Sequence, residues 1–71
     1  MKKYATLIQE AINAAKSQDW ETAIKLNTEI LERNPNDIGA HNRIGLAYMQ
    51  LGKKTNAKKA FETVLDRDKS N

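Results

Sequence analysis

Apolar residues recur every three or four positions along most of the chain, which is the spacing of one face of an α-helix. This pattern predicts four helices of about 14 residues each. The connections between them are short, so consecutive helices are expected to be antiparallel neighbours. The helices are predicted to run from about Tyr4 to Ser17, Trp20 to Arg33, Ile38 to Leu51 and Lys54 to Arg67.

Residues that start and stop helices stand between these segments. Asp19 and Asp37 each precede a predicted helix, where a carboxylate can accept a backbone N–H of the first turn. Pro35 ends the second helix, because proline has no N–H and pushes the preceding residue out of helical geometry. Gly52 is expected to end the third, since glycine tolerates the left-handed backbone conformation. The start of the fourth helix has no clear cap.

Four such helices fit either a four-helix bundle or two stacked hairpins. Shifting the sequence by 34 residues aligns the first helix with the third and the second with the fourth. The identical pairs are few, and they include Ala23/Ala57, Leu31/Leu65 and Arg33/Arg67. The second half also reads His41-x-x-Ile44-Gly45-x-x-Tyr48, followed by Ala57-x-x-x-Phe61.

This second motif resembles the tetratricopeptide repeat family, whose signature is Trp-x-x-Leu-Gly-x-x-Tyr, then Ala-x-x-x-Phe, then Pro. The first half carries the other end of the signature in Ala23, Ile30, Leu31 and Pro35. The resemblance implies an all-α superhelix of two antiparallel helical hairpins. It also implies one domain over residues 1–71, with repeat one at about 4–37 and repeat two at about 38–71.

Residue sizes suggest how such hairpins would pack. Gly45 and Ala57 are small, which lets the two helices of one hairpin approach closely. Tyr48 and Phe61 are large and are expected to fill the space between hairpins. His41 stands in the signature tryptophan place, where we expect it to pack at the hairpin interface. The first repeat departs from the family pattern at Glu10, Ala14 and Asn27, where the family has leucine, tyrosine and phenylalanine.

The composition argues against catalysis and against metal or cofactor binding. The 71 residues include no cysteine and one histidine, so we expect neither a metal site nor a cofactor, and no catalytic residue. The three glycines are too dispersed for a phosphate-binding loop, and the chain is not expected to be an enzyme. No apolar run approaches the roughly 20 residues that span a bilayer. We therefore expect no membrane contact and, by default, a cytoplasmic location.

The resemblance implies that helices one and three line a concave face on which the family binds peptides. Ile8 and Ile12 stand where the first repeat would need Lys and Asn to clamp a carboxylate. The ligand is therefore expected to be an apolar or amphipathic segment of a protein, such as a helix. The alternative is that the apolar members of this face pack on one another. The candidate peptide-binding residues are Ile8, Ile12, Ala15, Asn42, Leu46, Met49 and Gln50.

Two further functions remain open at this point. Ala57, Phe61 and Val64 could contact a capping segment or a second copy, which would make the protein a homo-oligomer through a dimer or a domain swap. Glu10 is polar on the side that would face a preceding repeat, so we expect none there.

The second is a nucleic-acid role for a basic patch on the fourth helix. Residues 38–71 carry seven Lys or Arg against three Asp or Glu. We do not expect nucleic acid as the partner, because no aromatic residue interleaves with the lysines. The patch consists of Lys54, Lys58 and Lys59.

Overall fold

The fold is built from α-helices joined by tight turns. The computed structural model describes residues 2–69, and for 67–69 it describes the backbone alone. The helix limits agree with the predicted ones within two residues. The helices are α1 Tyr4–Lys16, α2 Trp20–Arg33, α3 Ile38–Gln50 and α4 Lys54–Lys69.

The predicted caps are present. Asp19 accepts a hydrogen bond from the backbone N–H of Thr22 at 3.4 Å, and Asp37 accepts one from the N–H of Ala40 at 3.0 Å. The turn after α3 places Gly52 at φ +78°, as its sequence position predicts. The equivalent turn after α1 places a non-glycine residue, Gln18, at φ +60°. The two hairpin turns therefore share one backbone geometry, although only one of them has glycine there.

The helices stack as two hairpins and do not close into a bundle. Each of α1–α2, α2–α3 and α3–α4 is a contacting pair, and α1 also touches α3. Within residues 2–69, α4 contacts α3 and no other helix, whereas a bundle would bring α1 and α4 together. The arrangement is therefore the stack of repeats that the 34-residue period predicts.

Small residues form much of the core. One buried cluster joins Leu7 and Ala11 of α1 to Ile30 of α2 and Ala40 of α3. A second joins three alanines of α1, α2 and α3, with Trp20, Ile24 and Leu26 packed against it; these alanines are Ala14, Ala23 and Ala47. Because both clusters include α3, the two hairpins share one core.

The second hairpin closes through glycine and a ring. A Cβ added to Gly45 would lie 2.6 Å from Cε1 of Phe61, so the ring rests directly on the α3 backbone. The close approach expected at Gly45 is confirmed. The expectation that Phe61 fills the space between the hairpins is wrong, because the missing side chain at Gly45 leaves room for the ring inside its own hairpin. Tyr48 is half-buried.

Candidate functional site

The candidate binding surface depends on how α1 and α3 lie beside each other. The Tyr4 hydroxyl, in the first turn of α1, donates a hydrogen bond to Oδ2 of Asp37, which caps α3. The starts of the two helices are therefore tied together, and the helices run side by side in the same direction. Residues one repeat apart, such as Ile12 and Leu46, then occupy equivalent places on neighbouring helices.

We call the seven candidate peptide-binding residues the α1–α3 surface. Its α1 members, Ile8, Ile12 and Ala15, are half-buried, and Ile8 packs against the first core cluster. Its α3 members are exposed, with Leu46 at 43% and Met49 at 56% of their full accessible area. The surface therefore has a partly packed α1 side and an open apolar α3 side. The polar members Asn42 and Gln50 are also exposed.

A buried polar contact joins the hairpins behind this surface. Asn27 is fully buried. Its Nδ2 donates to the carbonyl oxygen of Ala23 at 2.7 Å, and its Oδ1 accepts from Nε of Arg43 at 2.8 Å. The sequence prediction missed this contact, although it noted Asn27 as a departure from phenylalanine. That departure was the available signal, because a buried amide needs partners.

The Arg43 guanidinium continues towards the start of α3. A Cβ added to Gly39 would lie 3.1 Å from one guanidinium nitrogen of Arg43 and 3.3 Å from Oδ1 of Asp37. Burial by itself raises the pKa of Asp37. Hydrogen bonds from the Tyr4 hydroxyl and backbone N–H groups, with the positive charge of Arg43, outweigh burial and leave that pKa below its ordinary value.

Tyr4 responds in the opposite sense. The pKa of its hydroxyl is raised, first because the hydroxyl donates to the Asp37 carboxylate and second because it is partly buried. Nδ2 of Asn34 also donates to this hydroxyl, at 3.3 Å. Asp37 thus connects α1, the loop between the hairpins and α3, so the polar contacts set the relative position of the two helices that carry the α1–α3 surface.

The residues proposed for self-association differ in how exposed they are. Ala57 is only 2% exposed, so it offers no area to a second copy and this assignment is wrong. The physical reason is that Ala57 lies on the inner side of the second hairpin. Phe61 and Val64 are half-buried, while Leu65, which was not among the candidates, is 60% exposed.

The three lysines of α4 do not form one compact patch. Lys54 and Lys58 are one turn apart and share a side of the helix, whereas Lys59 follows Lys58 directly and points about 100° away. All three are exposed. His41 is half-buried and its Nε2 lies 3.0 Å from the carbonyl oxygen of Pro35, beside the loop between the hairpins.

A cleft of about 400 Å³ opens between α1 and α2, and its lining residues come from these two helices and the segments next to them. Glu10 lines this cleft and forms an ion pair with Lys2 at 2.7 Å, with both side chains partly exposed. Asp19 lies in the same cleft. The other residues that line it are Asn13, Ala14, Ser17, Thr22 and Leu26.

Two searches concern other kinds of site. In the part of the chain that the structure describes, no three His, Cys, Asp or Glu residues are grouped so that they could hold a metal ion. Among the same residues, no helix has both the length and the apolar character needed to cross a bilayer.

Comparison with known proteins bears on the second hairpin. Residues 38–71 match a family model described as tetratricopeptide repeat. No curated protein and no solved structure gave a match. Repeats of this family are typically non-catalytic modules that bind other proteins on stacked helices. Because the matched hairpin is preceded by a second hairpin stacked on it, the four helices fit an arrangement of two tetratricopeptide repeats.

Proposed function

We propose that this chain is a non-catalytic scaffold that binds an apolar or amphipathic segment of a protein partner on the α1–α3 surface. The observation that carries the proposal is the exposure of Leu46 and Met49 on α3. Each is large and apolar, and neither is needed to close the two buried clusters. Adjacent exposed apolar side chains on a small domain are typical of a contact site.

The α1 side of this surface is already partly packed in the fold. Ile8 packs against the first cluster and is therefore already used in folding. Ile12 and Ala15 are half-buried at the positions equivalent to Leu46 and Met49. A ligand laid along α3 would therefore bury the open leucine and methionine against a row that the fold already holds in place.

The chemistry of the surface favours an apolar ligand. Isoleucine at positions 8 and 12 offers no donor to a carboxylate, so an acidic tail has nothing to bind in the first repeat. Met49 has a flexible side chain that adapts to different apolar partners. Asn42 and Gln50 flank the apolar residues of α3 and can form hydrogen bonds to a ligand at its two ends. An amphipathic helix with apolar residues at helical spacing fits these features.

Selection from a displayed library of peptides on the immobilised chain tests the proposal. We expect selected peptides to carry apolar residues at i, i+3 or i+4, and i+7. Isothermal titration of one synthetic selected peptide should then show at least about tenfold weaker binding to Leu46→Lys and Met49→Lys, because each removes about 1.4 kcal/mol or more of contact.

The matched control is Leu65→Lys, which charges an exposed leucine on α4, away from α1 and α3. Circular dichroism must show the same helicity in all three variants. Peptides that bind Leu65→Lys poorly but the two α3 variants normally would overturn the proposal. Unfolding of Leu46→Lys would instead support the alternative in which the surface packs on itself. The peptide affinity of Met49→Lys, at the more exposed position, would then decide between the two interpretations.

We also predict that the chain has no catalytic activity, holds no cofactor, does not bind nucleic acid and is cytoplasmic.

A further inference from the structure

The face of α4 that points away from α3 can be understood from α2, its counterpart one repeat earlier. Trp20 and Ile24 of α2 pack on the cluster that contains Ala47 of α3, and Leu31 packs on the cluster that contains Ala40. These residues, with Asn27, form the row by which α2 holds the second hairpin. The equivalent row of α4, 34 residues later, is Lys54, Lys58, Phe61 and Leu65, and of these Phe61 already packs on Gly45 of α3.

No helix within residues 2–69 covers Lys54, Lys58 or Leu65 of this row, since α4 contacts α3 alone and these side chains do not face it. Lys54 and Lys58 are exposed, and Leu65 is 60% exposed. Where the internal junction has a tryptophan and an isoleucine, this end of the stack therefore presents two positive charges followed by apolar side chains.

The opposite end of the stack shows the matching change. Ala47 of α3 belongs to the cluster against which Trp20 and Ile24 pack, and its equivalent in α1 is Asn13. Ile44 lies one turn before Ala47, and its equivalent is Glu10. In the loop between the two helices of each hairpin, Lys53 has Asp19 as its equivalent.

Asn13, Glu10 and Asp19 all line the cleft of about 400 Å³ between α1 and α2. The apolar Trp20 and Ile24 thus have basic equivalents at one end of the stack, and the apolar Ile44 and Ala47 have acidic or polar equivalents at the other. The charge balance of the halves agrees, with five basic and six acidic residues in 1–37 but seven and three in 38–71.

We propose that copies of this chain associate head to tail, with Lys54 and Lys58 of one copy entering the α1–α2 cleft of the next, beside Glu10 and Asp19. The second copy repeats the geometry by which the second hairpin docks on the first, so the contact continues the stack. Such a contact joins unlike surfaces and leaves a free end on each side, so it produces open chains.

The ion pair between Lys2 and Glu10 does not prevent this docking. Both side chains are partly exposed, and exposed ion pairs contribute little to stability. Glu10 can therefore exchange Lys2 for Lys58 of the next copy at small cost. For the same reason the association is weak and sensitive to salt, because added ions screen exposed charges.

Sedimentation equilibrium on the 71-residue chain, from tens of micromolar to about 1 mM, tests the proposal. The weight-average mass should rise with concentration at about 20 mM salt and return towards the monomer at about 500 mM. Lys58→Glu and Glu10→Lys should each weaken association about tenfold, because each replaces attraction by repulsion. The matched control, Lys59→Glu, has the same change in charge on the adjacent residue and should associate like the parent chain.

The decisive experiment mixes the two weakened variants. In Lys58→Glu, positions 10 and 58 are both glutamate, and in Glu10→Lys both are lysine, so an equimolar mixture should recover association that neither shows alone. A constant monomer mass at about 1 mM and low salt would overturn the proposal. So would association that survives Glu10→Lys but is lost in Leu65→Lys, because that result indicates a symmetric pair of α4 helices. Failure of the mixture to recover would also overturn it, whatever the outcome for the α1–α3 surface.

Discussion

Arg43 of α3 donates from its Nε to the side-chain oxygen of Asn27 in α2, at 2.8 Å, and Asn27 is fully buried. The bond crosses the junction between the two hairpins, where the two buried clusters consist of alanine, leucine and isoleucine. A buried amide that lost this partner would bear the full cost of its removal from water. The pair therefore fixes how one repeat sits on the next.

Asn27→Ala should destabilise the protein by about 2–3 kcal/mol, because it removes two buried hydrogen bonds and leaves the guanidinium short of an acceptor. Chemical denaturation followed by circular dichroism measures the change. Asn42→Ala, which truncates an exposed asparagine on α3, is the control and should change the free energy of unfolding by less than about 0.5 kcal/mol. Combining Asn27→Ala with Arg43→Ala should cost about 1–3 kcal/mol less than the two single effects added, and strict additivity would contradict the contact.

The hydrogen bond from Tyr4 to Asp37 makes stability depend on pH in a defined direction. The pKa of Asp37 is lowered in the folded state, so this carboxylate stabilises the fold above its unfolded pKa of about 3.9. That contribution is lost as pH falls through the lower folded pKa. The pKa of Tyr4 is raised, so its contribution is present below about 10 and is lost as pH rises through the folded pKa.

Tyr4→Phe should lower the free energy of unfolding by about 1 kcal/mol near neutral pH, because the partly exposed carboxylate loses one charge-assisted hydrogen bond. The acid limb of a stability profile measured by urea unfolding should also become shallower. The control, Tyr48→Phe, removes a hydroxyl that lies three turns along α3 from Asp37, and it should leave the acid limb unchanged. Parallel acid limbs for Tyr4→Phe and the parent chain would rule out the proposed role of the bond.

Local signals explain why the helices could be predicted from the sequence. Caps at Asp19 and Asp37 and the breaker Pro35 act within a few residues of themselves, so no tertiary information is needed to find them. The structure extends α4 to Lys69, two residues beyond the predicted limit. No glycine or proline stands there to end the helix, so the sequence carries no local stop signal at this position.

Packing details depend on the register between helices, which cannot be read from the sequence. Phe61 was placed between the hairpins, but its ring rests on Gly45 of its own hairpin. The α1–α3 surface was identified as a stripe, but only the structure separates its half-buried α1 side from the exposed Leu46 and Met49. Asn27 and Arg43 are 16 residues apart in sequence, and nothing local predicts that they meet.

The two hairpin turns offer a test of backbone conformation alone. Gln18 adopts φ +60° where its repeat equivalent, Gly52, adopts φ +78°. A side chain at positive φ costs about 1–2 kcal/mol, and glycine avoids most of that cost. Gln18→Gly should therefore raise the free energy of unfolding by about 0.5–1 kcal/mol, and the midpoint of thermal unfolding should rise with it.

Gly52→Ala is the reciprocal change and should destabilise by about 1 kcal/mol. A Cβ at Gly52 would meet no atom within 4 Å, so the loss cannot come from a clash. Gly52→Asn should cost less, because asparagine tolerates this conformation better than alanine does. If all three variants unfolded at the same temperature as the parent chain, the shared turn geometry would be wrong.

The packing of Phe61 on Gly45 predicts a reversal of sign between two backgrounds. In the parent chain, Gly45→Ala pushes a methyl group into the ring, which costs about 1–3 kcal/mol. Alanine also favours the helix by about 1 kcal/mol relative to glycine, so the net effect should be a modest loss. In a Phe61→Leu background the ring edge is gone, and the same substitution should become neutral or stabilising by up to about 1 kcal/mol.

Urea unfolding of the four proteins in this cycle gives the coupling free energy, which should be about 1–3 kcal/mol. Phe61→Leu is used because it keeps an apolar side chain in a small core that would tolerate truncation to alanine poorly. Gly39→Ala serves as the control. The added methyl there meets the Arg43 guanidinium at 3.1 Å and Oδ1 of Asp37 at 3.3 Å and does not meet Phe61, so its cost should be the same in both Phe61 backgrounds. Equal effects of Gly45→Ala with and without the ring would mean that the second hairpin does not close through this contact.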